Sequence, residues 1–261
     1  MAALRILVCV KRVPAPGAQI TLTNDQRSVD ARNLAFTTSP HEECAVEEAI
    51  RLVEAHGGDI TVLTVGPPEA EEQLRFSISV GAHHAILVTN DSIAGGEDPD
   101  PQATARAIVE AVRSIESDAG VFDVLLFGNE SADSGGFQVG VRVARALGRP
   151  IINGIKAIDV ADGTLTARRE CDAGFEVYRL ELPAVLGVKE GINLPRYATL
   201  PGRLRAKKAE VRTIVADPPS GGLTTVRFAT PELQQTRTVL LGTGADAAGA
   251  AVDLFFELGL A

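Results

Sequence analysis

From Leu4 to Leu147 the chain exchanges short, apolar runs with stretches of helical spacing, and this constrains its fold more than any other feature. Leu4 to Val10 and Ile60 to Val65 read as strands buried on both faces, and Ala85 to Val88 and Val121 to Phe127 repeat the pattern. Between them the spacing predicts helices. Glu42 to Ala55 sets Ala45, Val46, Ala49, Ile50 and Val53 on one side, and Pro68 to Val80 follows. Pro101 to Ile115 starts with proline in its first turn, and Gly136 to Leu147 stops near Gly148 and Pro150. Such βα alternation dictates an α/β fold: a doubly wound, mostly parallel, Rossmann-like sheet with helices on both faces and right-handed crossovers.

In open sheets of this kind ligands lie beyond the carboxyl ends of the strands, so the loops after the strands are where function is expected. Four loops stand out. They are Cys9 to Pro14, Ser39-Pro40-His41-Glu42 at a helix start, Val65 with Gly66-Pro67-Pro68, and Gly128 to Gly140. The last carries Asp133, Ser134, Gly135, Gly136, Phe137, Gln138, Val139 and Gly140. Small residues there let backbone approach a ligand, and amides at a helix start present positive partial charge to a phosphate. The same run also suits a plain glycine-rich turn in which Asp133 or Ser134 caps the helix. It is neither a Walker loop nor a GxGxxG fingerprint.

Farther along, ARRECDAGFEVYRLELP alternates charged and apolar residues on either side of Asp172-Ala173-Gly174, the pattern of a β-hairpin with one wet face. A short apolar run, Leu182 to Val188, leads into NLPRYATLPGRLRAKK. With two prolines, a tyrosine, exposed leucines and five basic residues, that segment reads as a stiff loop built to touch something. The stretch Glu170 to Lys208 closely resembles the signature of the β subunit of electron transfer flavoproteins, a Leu-Pro strand entering a Pro-Arg-Tyr-Ala-Thr-Leu-Pro loop. Weaker similarity runs from Leu4 to about Arg212.

The resemblance implies that the four loops enclose an AMP, carried here by Cys9, Ser39, Pro40, His41, Glu42, Val65 and Asp133 through Gly140. It also implies an α subunit partner that carries most of the FAD contacts. Electrons would arrive from acyl-CoA and other flavin dehydrogenases and leave toward a quinone oxidoreductase. Partner dehydrogenases would be recognised by Arg196, Tyr197, Ala198, Thr199, Leu200, Pro201, Gly202, Arg203, Leu204 and Arg205, with Leu200 as the anchor. Two positions depart from the family pattern. Ser39-Pro40-His41 stands where the family has Asn-Pro and an aromatic, which alters the adenine or ribose contacts, and Val13 to Gly17 offers no ring toward a flavin.

Other classes stay open on the residues alone. A bifurcating relative would hold a second FAD in the AMP site and oxidise NADH. A stand-alone adenine nucleotide-binding protein of the universal stress type shares the layout but leaves 196–205 unexplained. A purely structural or assembly role is a third. The basic cluster Arg203, Arg205, Lys207, Lys208 and Arg212 could also be no more than a solvated strand edge.

No catalytic residue and no metal site is expected, and the chain reads as a carrier subunit more than an enzyme. His83 and His84 point two ways and read as surface or cap residues; Glu47 and Glu48 read as carboxylates solvating a helix face; Cys9, Cys44 and Cys171 read as small core or partly buried residues. A net charge of −9 argues against a general nucleic-acid or anionic-membrane binder, and no apolar run is long enough to span a bilayer. The three separated thiols and a start directly on a strand fit a cytoplasmic protein without a signal peptide. The composition changes beyond Arg212, so an α/β domain over 1–212 is expected to be followed by an arm over 213–261. Asp217 to Gly222 would be a linker, Val226 to Thr230 extended, and Asp246 to Leu258 a helix bearing Phe255 and Phe256. Such an arm would either pack back on the α/β body or lie on another subunit, and the resemblance implies the second, an arm embracing the α subunit.

Overall fold

The computed structural model describes residues 3–96, 98–217, 222–231 and 238–260. It divides into two compact units, Met1–Arg227 and Phe228–Ala261.

The first unit is the expected doubly wound α/β fold. In chain order it contains β1 (Leu4–Cys9), a two-stranded ribbon of β2 (Val13–Pro14) and β3 (Phe36–Thr37), α1 (Pro40–His56), β4 (Gly58–Val65), α2 (Glu71–Val80), β5 (His84–Thr89), a single turn α3 (Asp91–Ala94) and α4 (Pro101–Ala119). There follow β6 (Val124–Gly128), α5 (Val139–Leu147), β7 (Ile151–Ala161), β8 (Thr164–Cys171), β9 (Gly174–Glu181), β10 (Ala184–Val188), α6 (Leu200–Lys208) and β11 (Val211–Val215). The main sheet runs β11-β5-β4-β1-β6-β10-β7-β8-β9. Its pairs are parallel from β11 to β7 and antiparallel from β7 to β9.

Alternation along the strands divides the core. Ile6, Val8, Ile60, Val62, Val124, Leu126 and Leu186 point to the face covered by α1 and α2. Leu7, Leu63, Ile86, Leu125 and Val185 point to the face covered by α4 and α5. After β1 the chain winds outward through β4 and β5, then returns to lay β6 on the other side of β1. The switch point therefore falls between β1 and β6, where the loops leave toward opposite faces and open a crevice.

Several expectations change. The segment after Pro195 is not loop throughout: Leu200–Lys208 forms α6, because Thr199 caps it by accepting the Gly202 N–H at 3.2 Å and Pro201 falls in the first turn, where its missing N–H costs nothing. The helix expected from Gly136 starts three residues later, at Val139, since Gly135 and Phe137 hold positive φ angles of 54° and 55°. β7, which the apolar pattern did not announce, is half-exposed along most of its length. β11 straddles the composition change at 212 and pairs with β5.

The second unit holds a 3-10 turn, Gly244–Ala247, and α7 (Ala248–Glu257), with Phe255, Phe256 and Leu258 exposed. Residues 226–230 form no strand, and most of the expected linker, 218–221, lies outside the described residues.

Candidate functional site

At the switch point the start of α1 meets the tips of β1 and β6. Ser39 is fully buried and caps α1 in a capping box: its Oγ accepts the Glu42 N–H at 3.4 Å, and Glu42 Oε2 accepts the Ser39 N–H at 3.2 Å. Pro40 fits the first turn. Glu42 lies over the end of β6 so closely that a Cβ on Gly128 would stand 2.7 Å from its Cγ. Burial pushes the Glu42 carboxyl up to about 7, against the pull of backbone N–H groups from Lys11 and Ser39. Cys9, the last residue of β1, is buried beside it; desolvation and then the nearby Glu42 carboxylate raise its thiol, so it is inert at neutral pH.

One residue beyond Val10, Lys11 Nζ reaches Asp133 at 2.7 Å and Asp98 at 3.5 Å. Burial acts to lower the pKa of this ammonium, but the two carboxylates outweigh burial and raise it. Burial likewise opposes ionisation of Asp133, yet Lys11 holds its carboxyl below the ordinary value. This pair ties the β1 loop to the β6 loop.

His41 completes the corner. Its Nδ1 accepts the Glu190 N–H at 2.8 Å, so in the neutral ring the proton sits on Nε2, 3.5 Å from Glu130 Oε1. The ring thus hydrogen-bonds the chain after β10 and faces the β6 loop. Val65, at the tip of β4, lies on the far side of β1 from β6, apart from the Lys11–Asp133 contact.

The β6 loop crosses from this corner to the other face. A Cβ on Gly135 would stand 3.6 Å from Glu130 Oε2, whereas one on Gly136 would stand 3.7 Å from Pro101 Cγ, at the start of α4. Ser134 Oγ is 2.8 Å from Ser131 Oγ, and Phe137 is exposed. Neither Asp133 nor Ser134 caps α5. The cap position is Gln138, which makes no side-chain cap bond, so the first N–H groups of α5 are left for another acceptor. Gly140 packs against the Phe127 ring. An uncapped helix start can hold an anion.

A second locus follows β10. Asn193 donates to the Cys44 carbonyl and Glu48 Oε2, both at 2.9 Å, and Arg196 donates to Glu47 and Glu54, so this stretch runs along α1. Glu47 and Glu48, expected to solvate a helix face, are buried by it. Tyr197 is 95% and Leu200 72% exposed, and Leu204 is exposed too. On the other side α6 crosses α2 so tightly that a Cβ on Gly202 would stand 2.1 Å from the Ser79 carbonyl oxygen. Arg205 donates to the Ile78 carbonyl at 2.7 Å. Thus Thr199, Pro201 and the buried Gly202 shape the start of α6 after Ala198, and the side chains of Tyr197, Leu200, Arg203 and Leu204 meet solvent.

Lys11, Glu130 and Glu190 were not singled out from sequence, although a lysine directly past an apolar strand was a visible signal. Cys171 is exposed on the hairpin, not buried. His83 Nδ1 accepts the Ile60 N–H at 3.1 Å. Among the described residues no group of three or more His, Cys, Asp or Glu side chains could hold a metal, and no helix is long and apolar enough to cross a membrane.

The electron transfer flavoprotein domain family matches residues 28–219. The chain is 35% identical over 229 residues to a protein named electron transfer flavoprotein subunit beta from Syntrophomonas wolfei, covering 87% of this chain and 86% of that one. It is 33% identical over 211 residues to protein FixA of Sinorhizobium fredii, covering 80% and 73%. To the electron transfer flavoprotein subunit beta of Mycobacterium leprae it is 34% identical over 214 residues, covering 80% and 78%. With the fold, the strand-tip crevice and these similarities in hand, the chain belongs to the electron transfer flavoprotein family, among its β subunits and FixA proteins, and its role is electron transfer.

Proposed function

We propose that this chain is the β subunit of a two-chain electron carrier that binds AMP structurally in the β1/β6 crevice and helps an α subunit hold FAD. The observation that carries the nucleotide reading is the uncapped start of α5 at the end of the β6 loop, a loop that the Lys11–Asp133 pair ties to the tip of β1 at the switch point of the sheet. The residues fit an adenylate. The α5 amides after Gln138 suit a phosphate, Gly135 and Gly136 keep side chains out of its way, and the apolar tip of β1 at Cys9 suits a purine. Lys11 is charged but neutralised by Asp133 and Asp98, so the site offers dipoles more than net charge.

FAD supplies the redox chemistry when bound; this chain's residues shape one side of its site and exclude water. Phe36 stacks under the guanidinium of Arg12, a residue of the β1 loop, at 3.2 Å. Electrons arrive from acyl-CoA dehydrogenases and other flavin dehydrogenases, which dock on 196–205 with Leu200 as anchor, and leave to a quinone oxidoreductase. The arm, with its exposed Phe255 and Phe256, packs on the α subunit.

The test is co-expression with an α subunit, followed by flavin counting from absorbance and reduction by an acyl-CoA dehydrogenase. One flavin per heterodimer and a raised KM in Leu200→Ala are expected. Two flavins would instead point to a bifurcating complex, and an unaffected Leu200→Ala would remove the docking assignment.

A further inference from the structure

Arg196 lies inside the segment assigned to docking, yet its guanidinium is spent within the chain. Its Nε donates to Glu47 Oε2 at 2.9 Å and Nη2 to Glu47 Oε1 at 3.1 Å; Nη1 donates to Glu54 Oε1 at 2.7 Å and Nη2 to Glu54 Oε2 at 3.0 Å. The backbone N–H of Arg196 adds a fifth bond, to Glu47 Oε2 at 3.1 Å. Both carboxylates belong to α1. The Glu47 side chain is only 5% exposed and is also held by Arg51 Nε at 3.0 Å. Burial works against its ionisation, but Arg196 and Arg51 outweigh that and keep its pKa low. A planar fork held on two edges has one orientation, unlike a lysine in the same place.

The neighbours of this clamp are the exposed apolar residues. Leu194 is 83% exposed and stands two residues before Arg196, Tyr197 follows Arg196 directly, and Leu200 opens α6 four residues after Arg196. Prolines at 195 and 201 stiffen the backbone between.

We infer that Glu47 is a positioning residue for partner docking: with Glu54 it clamps Arg196, so that Arg196 serves to hold the Leu194–Leu204 strip in its docking shape and does not itself touch the partner. The inference rests on the docking role proposed above for 196–205. Ordering the strip in advance removes an entropy cost from every encounter, which an unclamped strip would bear on each binding event.

The heterodimer, prepared with Glu47→Gln, Glu47→Ala, Arg196→Ala, Arg196→Lys and Leu200→Ala, is tested as substrate of a reduced acyl-CoA dehydrogenase, with amide exchange followed over 194–199. The clamp predicts a KM raised about three- to tenfold in the Glu47 and Arg196 variants, with kcat and flavin content unchanged. Arg196→Lys should not rescue, the Glu47→Ala/Arg196→Ala pair should be no worse than either alone, and amide protection over 194–199 should fall. A raised KM in Leu200→Ala with unchanged KM in the Glu47 variants would overturn the clamp and leave docking intact. Arg196 variants impaired where Glu47 variants are not would show direct contact with the partner and also overturn it. An unchanged Leu200→Ala would remove the docking role, and the clamp with it.

Discussion

The Nδ1 of His41 accepts the backbone N–H of Glu190 at 2.8 Å, joining the first turn of α1 to the chain as it leaves β10. Through this bond one residue belongs both to the strand-tip crevice and to the root of the exposed segment that follows. The same ring faces Glu130 on the β6 loop, so three chain segments meet on one side chain.

Replacing His41 with alanine strands the Glu190 N–H and frees the Glu130 carboxylate. The expected loss is about 1–3 kcal/mol of unfolding free energy, read from urea denaturation of the heterodimer. Bound adenylate should fall with it, since Ser39 to Glu42 would lose their tie to the β10 side.

Gly202→Ala tests the crossing of α6 over α2. Its Cβ would be driven against the Ser79 carbonyl oxygen, and backbone cannot step aside as a flexible side chain can. A destabilisation of about 1–3 kcal/mol is expected, with weaker docking of dehydrogenases because Leu200 and Leu204 ride on α6. Gly249→Ala, where nothing lies within 4 Å of the new Cβ, should be neutral by comparison.

The buried Glu42 sets a pH dependence. Its carboxyl titrates at about 7 in the folded chain and near the ordinary 4.5 when unfolded, so between these values the folded state holds the extra proton. Stability is then highest below the unfolded value and falls as pH rises through this window, by a few kcal/mol for this group. Glu42→Gln keeps the capping geometry and removes the titration. The difference in unfolding free energy between Glu42→Gln and the parent should widen from pH 4.5 to pH 8. A constant difference would show that the carboxyl ionises normally.

Much of the fold was legible from periodicity, because β1, β4 and β5 are buried on both faces and leave continuous apolar runs. β7 was not, for it is half-exposed and reads as mixed polarity. Pro201 misled in a different way: a proline in an apparent loop is equally at home in the first turn of a helix, and only the Thr199 cap decides. Within the site, Ser39 to Glu42 and the β6 loop were picked out by the rule that ligands lie beyond the carboxyl ends of the strands. The partners of Glu47 did not. Its bonds to Arg196 span 149 residues of chain, and a carboxylate on a helix carries no local sign of so distant a cation. Glu130 and Glu190 escaped for the same reason.

The most direct test of the nucleotide site is to denature the purified heterodimer and quantify the small molecules released. One AMP and one FAD are expected for each pair of chains, with AMP lost, and FAD retained, when Gly136 is replaced by a bulky residue in the loop before α5. Release of FAD with no adenylate, or of two flavins and no AMP, would contradict the AMP assignment.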